Sequence, residues 1–302
     1  MRYERTLVTG ASGLVGSTIE TEFGPRSSEL NLMHFDDVCD YIRTNDIDSI
    51  IHAAAKVGGI GANTERPGEF FYENLVMNTN LLEAARVCGV KKVVSFMSTC
   101  VFPAEAPLPL TVEEMNGGEP HPTNYPYAYA KRMVDVMSRA YRTQYGCNFV
   151  TVIPCNIYGP RDNYNLESSH VIPSLIHKCY LAKKNNTKFE LWGTGQAKRE
   201  FIYSYDVGKI ANWALENYDE VKPLIISNDI EISISDVAKQ ICECFGYDGE
   251  IVYDQKLDGI LRKPSDNSKL KSLLPDFRFT GLKQGLQSSV DWFIENYERA
   301  RK

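Results

Sequence analysis

The stretch Gly10-Ala11-Ser12-Gly13-Leu14-Val15-Gly16 stands directly behind the short apolar run Thr6-Leu7-Val8-Thr9, so a strand runs into a glycine-rich turn. Glycines there let the chain reverse tightly and bring backbone amides close to a pyrophosphate. A helix predicted from about Leu14 to Phe23, stopped by Gly24-Pro25, would point its N-terminus at that charge. Gly10, Ser12, Gly13, Leu14, Val15 and Gly16 are therefore candidate dinucleotide contacts. The plain alternative is a strand-to-helix turn with no ligand.

Beyond the glycine turn, strands and helices alternate. Ser49–His52, Lys92–Met97 and Phe149–Ile153 read as buried strands, and the segments near 68–88 and 126–145 read as helices. Such alternation predicts an α/β fold, a doubly wound parallel sheet covered on both faces. From about residue 158 the texture changes to Pro- and Gly-punctuated loops. There a short strand is expected at Phe189–Trp192, with helices near 171–184, 205–217, 234–245 and 282–300. The expected division is 1–157 for the dinucleotide-binding domain and 158–302 for a smaller α/β substrate part, some segments of which return to the first domain.

Composition limits the partners. The chain has 302 residues, is 43% hydrophobic and 24% charged, and carries a formal net charge of -6, so it is globular and shows no footprint for nucleic acid or an anionic membrane. Its N-terminal residues contain no apolar run suited to a signal peptide or spanning helix, which predicts a cytoplasmic protein. The cysteines at 39, 88, 100, 147, 155, 179, 242 and 244 lack paired zinc spacing, and no metal is expected.

Chemistry concentrates in three places. His52-Ala53-Ala54-Ala55-Lys56 ends a strand with small residues that either leave room for a ligand or pack tightly under a helix. His52 itself reads more readily as a satisfied core histidine than as a catalytic one. Tyr127 and Lys131 stand four residues apart in Pro126-Tyr127-Ala128-Tyr129-Ala130-Lys131, hence on one helix face. An ammonium near a phenol favours phenolate and equips the tyrosine to exchange a proton with a carbonyl oxygen. Tyr125 and Tyr129 have no lysine at that spacing and are expected to pack. Ser98-Thr99-Cys100 follows the Lys92–Met97 strand, so Ser98 falls at the carboxyl edge of the sheet, where doubly wound folds bind ligands.

This ordered set, together with the G-x-x-G-x-x-G spacing, Val57-Gly58-Gly59 and Ser169-His170-Val171-Ile172-Pro173, resembles the GDP-L-fucose synthase family of extended short-chain dehydrogenase/reductases over nearly the whole chain. The resemblance implies a Rossmann-type fold, NADPH as cofactor and GDP-4-keto-6-deoxy-D-mannose as substrate. It implies a reductase triad of Ser98, Tyr127 and Lys131, with Cys100 and His170 performing 3,5-epimerisation. A lone cysteine of this kind otherwise reads as a small core hydrophobe, and the histidine as a helix cap. Cys100 would serve as base if His170 or a dipole supported its thiolate. Further cofactor contacts implied are Ala53, Ala54, Lys56, Pro154, Asn156 and Ile157, with Tyr127, Lys131 and His170 also touching the cofactor. For the nucleotide sugar the implied residues are Lys178, Trp192, Arg199, Asp258 and Lys263. A homodimer through the helices near 68–88 and 126–145 is implied by the same analogy.

Between the predicted first helix and Ser28-Glu29-Leu30 the chain has only Phe23-Gly24-Pro25-Arg26-Ser27, where the adenosine 2′ position is normally read. Arg26 suits a 2′-phosphate and Glu29 a free hydroxyl. Two other functions compete with the epimerase-reductase. A nucleotide-sugar 4-epimerase or 4,6-dehydratase is one, although a dehydratase would place acidic residues where Cys100 and Val101 stand. A non-catalytic dinucleotide-binding sensor is the other, and it leaves Tyr127, Lys131 and Ser98 unexplained.

Overall fold

A computed structural model describes residues 3–255 and 259–302. Its main sheet has the order β1-β2-β3-β4-β8, all parallel: β1 (Thr6–Thr9), β2 (Ser49–His52), β3 (Lys92–Phe96), β4 (Asn148–Pro154) and β8 (Leu224–Ile226). Register explains the two cores. Leu7, Ile50, Val93 and Phe149 align across four strands and point to one face, against Val38, Ile42, Leu81, Leu82 and Val134. Their neighbours Val8, Ile51, Val94 and Val150 point to the other, against Val207, Ile210, Ala211 and Ala214.

The first face is covered by α1 (Phe35–Thr44), α3 (Pro67–Val87) and α4 (Tyr125–Tyr145), and a short α2 (Ile60–Glu65) precedes α3. The second face is covered by α6 (Ser204–Asn217). Pro67 and Pro126 sit in the first turns of α3 and α4, where no intrahelical N–H is needed. Gly146 closes α4 in the left-handed conformation (φ 73°).

The smaller part holds β5 (Asn156–Tyr158), β7 (Lys198–Tyr203) and β9 (Glu231–Ser233) in one sheet, and β6 (Phe189–Leu191) with β10 (Ile251–Tyr253) in another. Helices α5 (Val171–Asn185), α7 (Ile234–Phe245) and α9 (Leu282–Glu295) pack with these strands around a third core, and α8 (Ser268–Leu273) lies beside β8.

The helix expected over Leu14–Phe23 is absent. Gly16–Thr18 forms one turn of 3-10 helix, and Ile19 is already extended. The cause is the open edge of β1. Val8 N donates to Phe23 O at 2.9 Å and Thr21 Oγ1 donates to Thr6 O at 2.6 Å, so residues 21–23 satisfy edge groups that a helix would leave unpaired. α1, by contrast, is not among the helices expected from the sequence.

Candidate active site

The glycine turn survives the loss of its helix. Gly10 has φ +71°, and a Cβ there would lie 2.9 Å from Ala54 N and Cα. The turn therefore rests on Ala53-Ala54, which the tight-packing reading describes. Three residues of 3-10 helix supply no helix dipole, so the expected charge stabilisation at a helix N-terminus is withdrawn. Backbone amides of the turn remain to meet a pyrophosphate.

Lys56 donates to Glu69 at 2.9 Å and to Glu73 at 2.5 Å on α3, and these carboxylates raise its pKa. Its side chain is thus engaged by the protein. Its backbone is held by Asn74, whose Oδ1 accepts from Lys56 N and whose Nδ2 donates to Lys56 O, both at 3.0 Å. Pro154 ends β4, Ile157 packs on the α6 side of the sheet, and Asn156 is exposed with its Nδ2 donating to Glu200 O at 2.9 Å.

At the carboxyl end of β3 the structure brings Ser98, Cys100, Tyr127 and Lys131 together. Lys131, only 2% exposed, donates to Phe96 O at 2.9 Å and lies 5.9 Å from the centroid of the Tyr127 ring. Ser98 Oγ accepts from Cys100 N at 3.4 Å. Two electrostatic expectations are corrected. Burial raises the Tyr127 pKa well above that of an ordinary phenol, with the Cys100 charge acting the same way, so the resting group is phenol and not phenolate. Burial also lowers Lys131 to about 8. Desolvation here outweighs the neighbouring cation.

Cys100 is raised by burial too, and the influences opposing this are Ser98, Lys263 and Lys131; His170 is not among them. What favours the thiolate is the Ser98 hydrogen bond first, then the charges of Lys263 and Lys131. His170 occupies the backbone N-cap position of α5, but its side chain makes no cap bond, and burial lowers its pKa. It remains reachable by solvent. Its loop is fastened across the cleft: Gly59 N donates to Ser168 O at 2.7 Å, and a Cβ on Gly59 would stand 2.6 Å from Ser169 O. That close approach accounts for Gly59, while a Cβ on Gly58 would stand 2.9 Å from Phe70 Cζ.

In the smaller part, Lys178 Nζ lies 4.3 Å from the centroid of the Trp192 ring, and Trp192 is 68% exposed. Burial lowers the Lys263 pKa, with the Cys100 charge opposing this and the Arg199 charge adding to it. Two cations so placed suit a diphosphate. Lys263 is set by its strand-like strap: Lys198 N donates to Leu261 O and Leu110 N to Pro264 O, each at 2.8 Å. Asp258 lies outside the described residues.

Sequence reading missed Arg132, whose Nε donates to Val101 O at 2.7 Å and whose Nη2 donates to Gly118 O at 2.9 Å. It clamps the loop after Cys100 onto α4, and its position beside Lys131 was the only signal. Tyr125 is half exposed and meets Tyr129 edge-on at 6.5 Å, so of the two flanking tyrosines it packs at the surface.

The site fits a nicotinamide dinucleotide at its reactive end, where the phenol, ammonium and hydroxyl converge, and at the glycine turn. Arg26 is exposed, and its backbone N donates to Glu29 Oε2 at 2.7 Å. Among the described residues no cluster of His, Cys, Asp or Glu could hold a metal ion, and no helix is long and apolar enough to cross a membrane.

Comparisons agree with this geometry. A profile described as the NAD dependent epimerase/dehydratase family matches residues 6–228. The chain is 47% identical to GDP-L-fucose synthase of Dictyostelium discoideum, over 98% of this chain and 97% of that one. It is 34% identical to GDP-L-fucose synthase of Escherichia coli (strain K12), with each chain covered to 100%. Among solved structures, the GDP-L-fucose synthetase of Naegleria fowleri bound to NADP superposes with a TM-score of 0.94 at 38% identity, covering 100% of this chain and 96% of the other.

Proposed function

The chain belongs to the NAD dependent epimerase/dehydratase family and within it to the GDP-L-fucose synthases, and on that premise we propose that it converts GDP-4-keto-6-deoxy-D-mannose to GDP-L-fucose. It epimerises C3 and C5 and reduces the 4-keto group with NADPH. The observation that carries this reading is the meeting of Ser98, Cys100, Tyr127 and Lys131 at the end of β3; the loop before His170 is fastened to Gly59.

The 4-keto group acidifies the protons on C3 and C5. Cys100 Sγ, as thiolate, takes one of them; the C–H bond breaks and its electron pair becomes the enolate, with charge on O4. A protonated His170 returns a proton to the opposite side; the Cys100 thiol then gives up its proton and the imidazole takes one, by way of solvent, which restores the pair for the same exchange at the second carbon. In the resting site both groups are held neutral, as thiol and imidazole, so the charged pair is the minor form from which the reaction starts.

Bound NADPH supplies a hydride for C4. Tyr127, kept as phenol by its burial, gives its proton to O4, and Ser98 donates a hydrogen bond to the same oxygen. Lys131 stabilises the phenolate that this leaves. The raised phenol pKa is thus suited to the reductive direction.

Lys178, Trp192, Arg199 and Lys263 hold the GDP moiety, with Trp192 as wall and the cations on the diphosphate. Asp258 is assigned to the nucleotide by the family alone. Residues 1–157 serve the cofactor and 158–302 mainly the nucleotide sugar, β8 and α6 having returned to the first sheet. A homodimer would join the outer faces of α3 and α4, where Tyr72 and Val136 are 61% and 48% exposed. Free cysteines at all eight positions suit the reducing cytoplasm.

The test is incubation with GDP-4-keto-6-deoxymannose and NADPH, with cofactor oxidation followed and the sugar identified by NMR. GDP-L-fucose is expected. GDP-rhamnose would show reduction without epimerisation and remove Cys100 and His170 from their roles.

A further inference from the structure

Behind the reacting groups, buried polar side chains form a continuous chain from the floor of the glycine turn to the helix bearing Tyr127 and Lys131. Ala54 N donates to Thr9 Oγ1 at 3.2 Å, and Thr9 Oγ1 lies 2.7 Å from His52 Nδ1. His52 Nε2 lies 2.9 Å from Asn78 Oδ1, and Asn78 Nδ2 donates to Ala130 O at 3.3 Å. Thr9, His52 and Asn78 are 2%, 0% and 1% exposed, so water cannot substitute for a missing partner.

The chain has a single permitted direction, fixed from its far end. Ala130 O only accepts, so the Asn78 amide nitrogen must face it and Asn78 Oδ1 must face His52. His52 Nε2 then carries the proton, Nδ1 accepts, and the Thr9 hydroxyl donates to Nδ1 while accepting from Ala54 N. In the reverse direction Asn78 Oδ1 would oppose Ala130 O, two acceptors in contact. A second proton on His52 would likewise strand Thr9. Burial first, and the Lys131 charge second, push the His52 pKa down to about 3, which keeps the ring singly protonated.

We propose that Thr9, His52 and Asn78 are positioning residues for reduction, setting α4, and with it Tyr127 and Lys131, relative to the cofactor floor at Ala54. Ala130 adjoins Lys131 and stands three residues after Tyr127, so a shift at its carbonyl moves both. Ala54 lies against Gly10, within 2.9 Å of where a Cβ would be, so the other end of the chain is the ground on which the cofactor turn rests. Cys100 follows β3 and His170 precedes α5, and neither lies on α4. Epimerisation feels α4 only through the Lys131 and Arg132 contacts behind the Cys100 turn, so the chain should govern reduction more strongly than epimerisation. This inference rests on the function proposed above.

The first measurement uses the unmodified protein: 15N-histidine NMR at neutral pH should show His52 as the Nε2–H tautomer. The Nδ1–H tautomer or an imidazolium would overturn the proposal, whatever the enzyme's substrate. The second compares two half-reactions of Asn78→Leu, namely single-turnover NADPH oxidation and C3/C5 proton exchange in deuterated solvent without reduced cofactor. Reduction should slow by about tenfold or more, as small misplacements of reacting groups do, and exchange should slow several-fold less, since Cys100 is only tied to α4 from behind. Equal losses in both halves, or no loss in either, would reduce the chain to core packing and defeat the proposal. Should Asn78→Leu fail to fold, Thr9→Val is read in the same way, and Thr9→Ser should restore reduction because it keeps the hydroxyl. If the unmodified enzyme exchanges protons but reduces nothing, the functional reading fails separately, and the His52 tautomer still decides the hydrogen-bond chain.

Discussion

Lys131 Nζ donates to the carbonyl of Phe96 at 2.9 Å, so the ammonium of α4 is bolted to the last residue of β3, two residues before Ser98. One bond thereby fixes the proton donor's helix against the strand end from which Ser98 and Cys100 emerge.

Tyr127→Phe keeps the ring and removes the transferable proton. NADPH oxidation should fall by about 10²–10⁴-fold, the usual worth of a positioned acid, while C3/C5 exchange continues. Stopped-flow absorbance and NMR exchange on the same sample check this. Retained reduction would assign the proton to Ser98 or water.

Cys100 has a raised pKa, so near neutral pH its thiolate is scarcer than in an ordinary cysteine. The reacting form, thiolate Cys100 with protonated His170, carries as many protons as the resting thiol and imidazole, so C3/C5 epimerisation should be flat with pH between the lowered His170 and the raised Cys100 pKa and should fall about tenfold per pH unit on either side. A steady climb with pH through neutrality would remove His170 as the acid. Cys100→Ser should lose the exchange at every pH.

Arg199→Ala removes one of the cations proposed for the diphosphate. KM for the GDP-sugar should rise by about tenfold or more, the loss of one charge-assisted contact, and NADPH affinity should stay unchanged. An unaltered KM would leave Arg199 as a surface charge and the diphosphate to Lys263 and Lys178.

Cofactor choice should be weakly enforced. With no helix after the glycine turn and Arg26 as the exposed cation of that segment, NADPH should be preferred over NADH by only about tenfold, one charged contact's worth. Arg26→Ala should bring the two dissociation constants together. Fluorescence titration of each reduced cofactor checks this, and a hundredfold preference surviving in Arg26→Ala would place the 2′-phosphate elsewhere.

The parallel strands, α3, α4 and the Tyr127–Lys131 spacing were legible because each is a local property: apolar runs fix strands, and an i,i+4 separation fixes a shared helix face. α1 carries a signal of the same local kind, with Phe35, Val38, Cys39 and Ile42 at helical spacing. The false helix at Leu14–Phe23 had glycine punctuation at both ends, but the open edge of β1 claimed its residues as partners. Edge groups exist only once the sheet is assembled.

What the sequence determined by itself was the proposed set of reacting side chains and their order along a doubly wound sheet, since residue identity and spacing carry that information. Tertiary structure alone decided their protonation and support: Tyr127 kept as phenol, Cys100 flanked by Lys131 and Lys263, and His52 joined through Asn78 to Ala130. The reason is that desolvation and buried hydrogen bonds depend on what folds across a group from distant parts of the chain, and spacing along the chain does not record it.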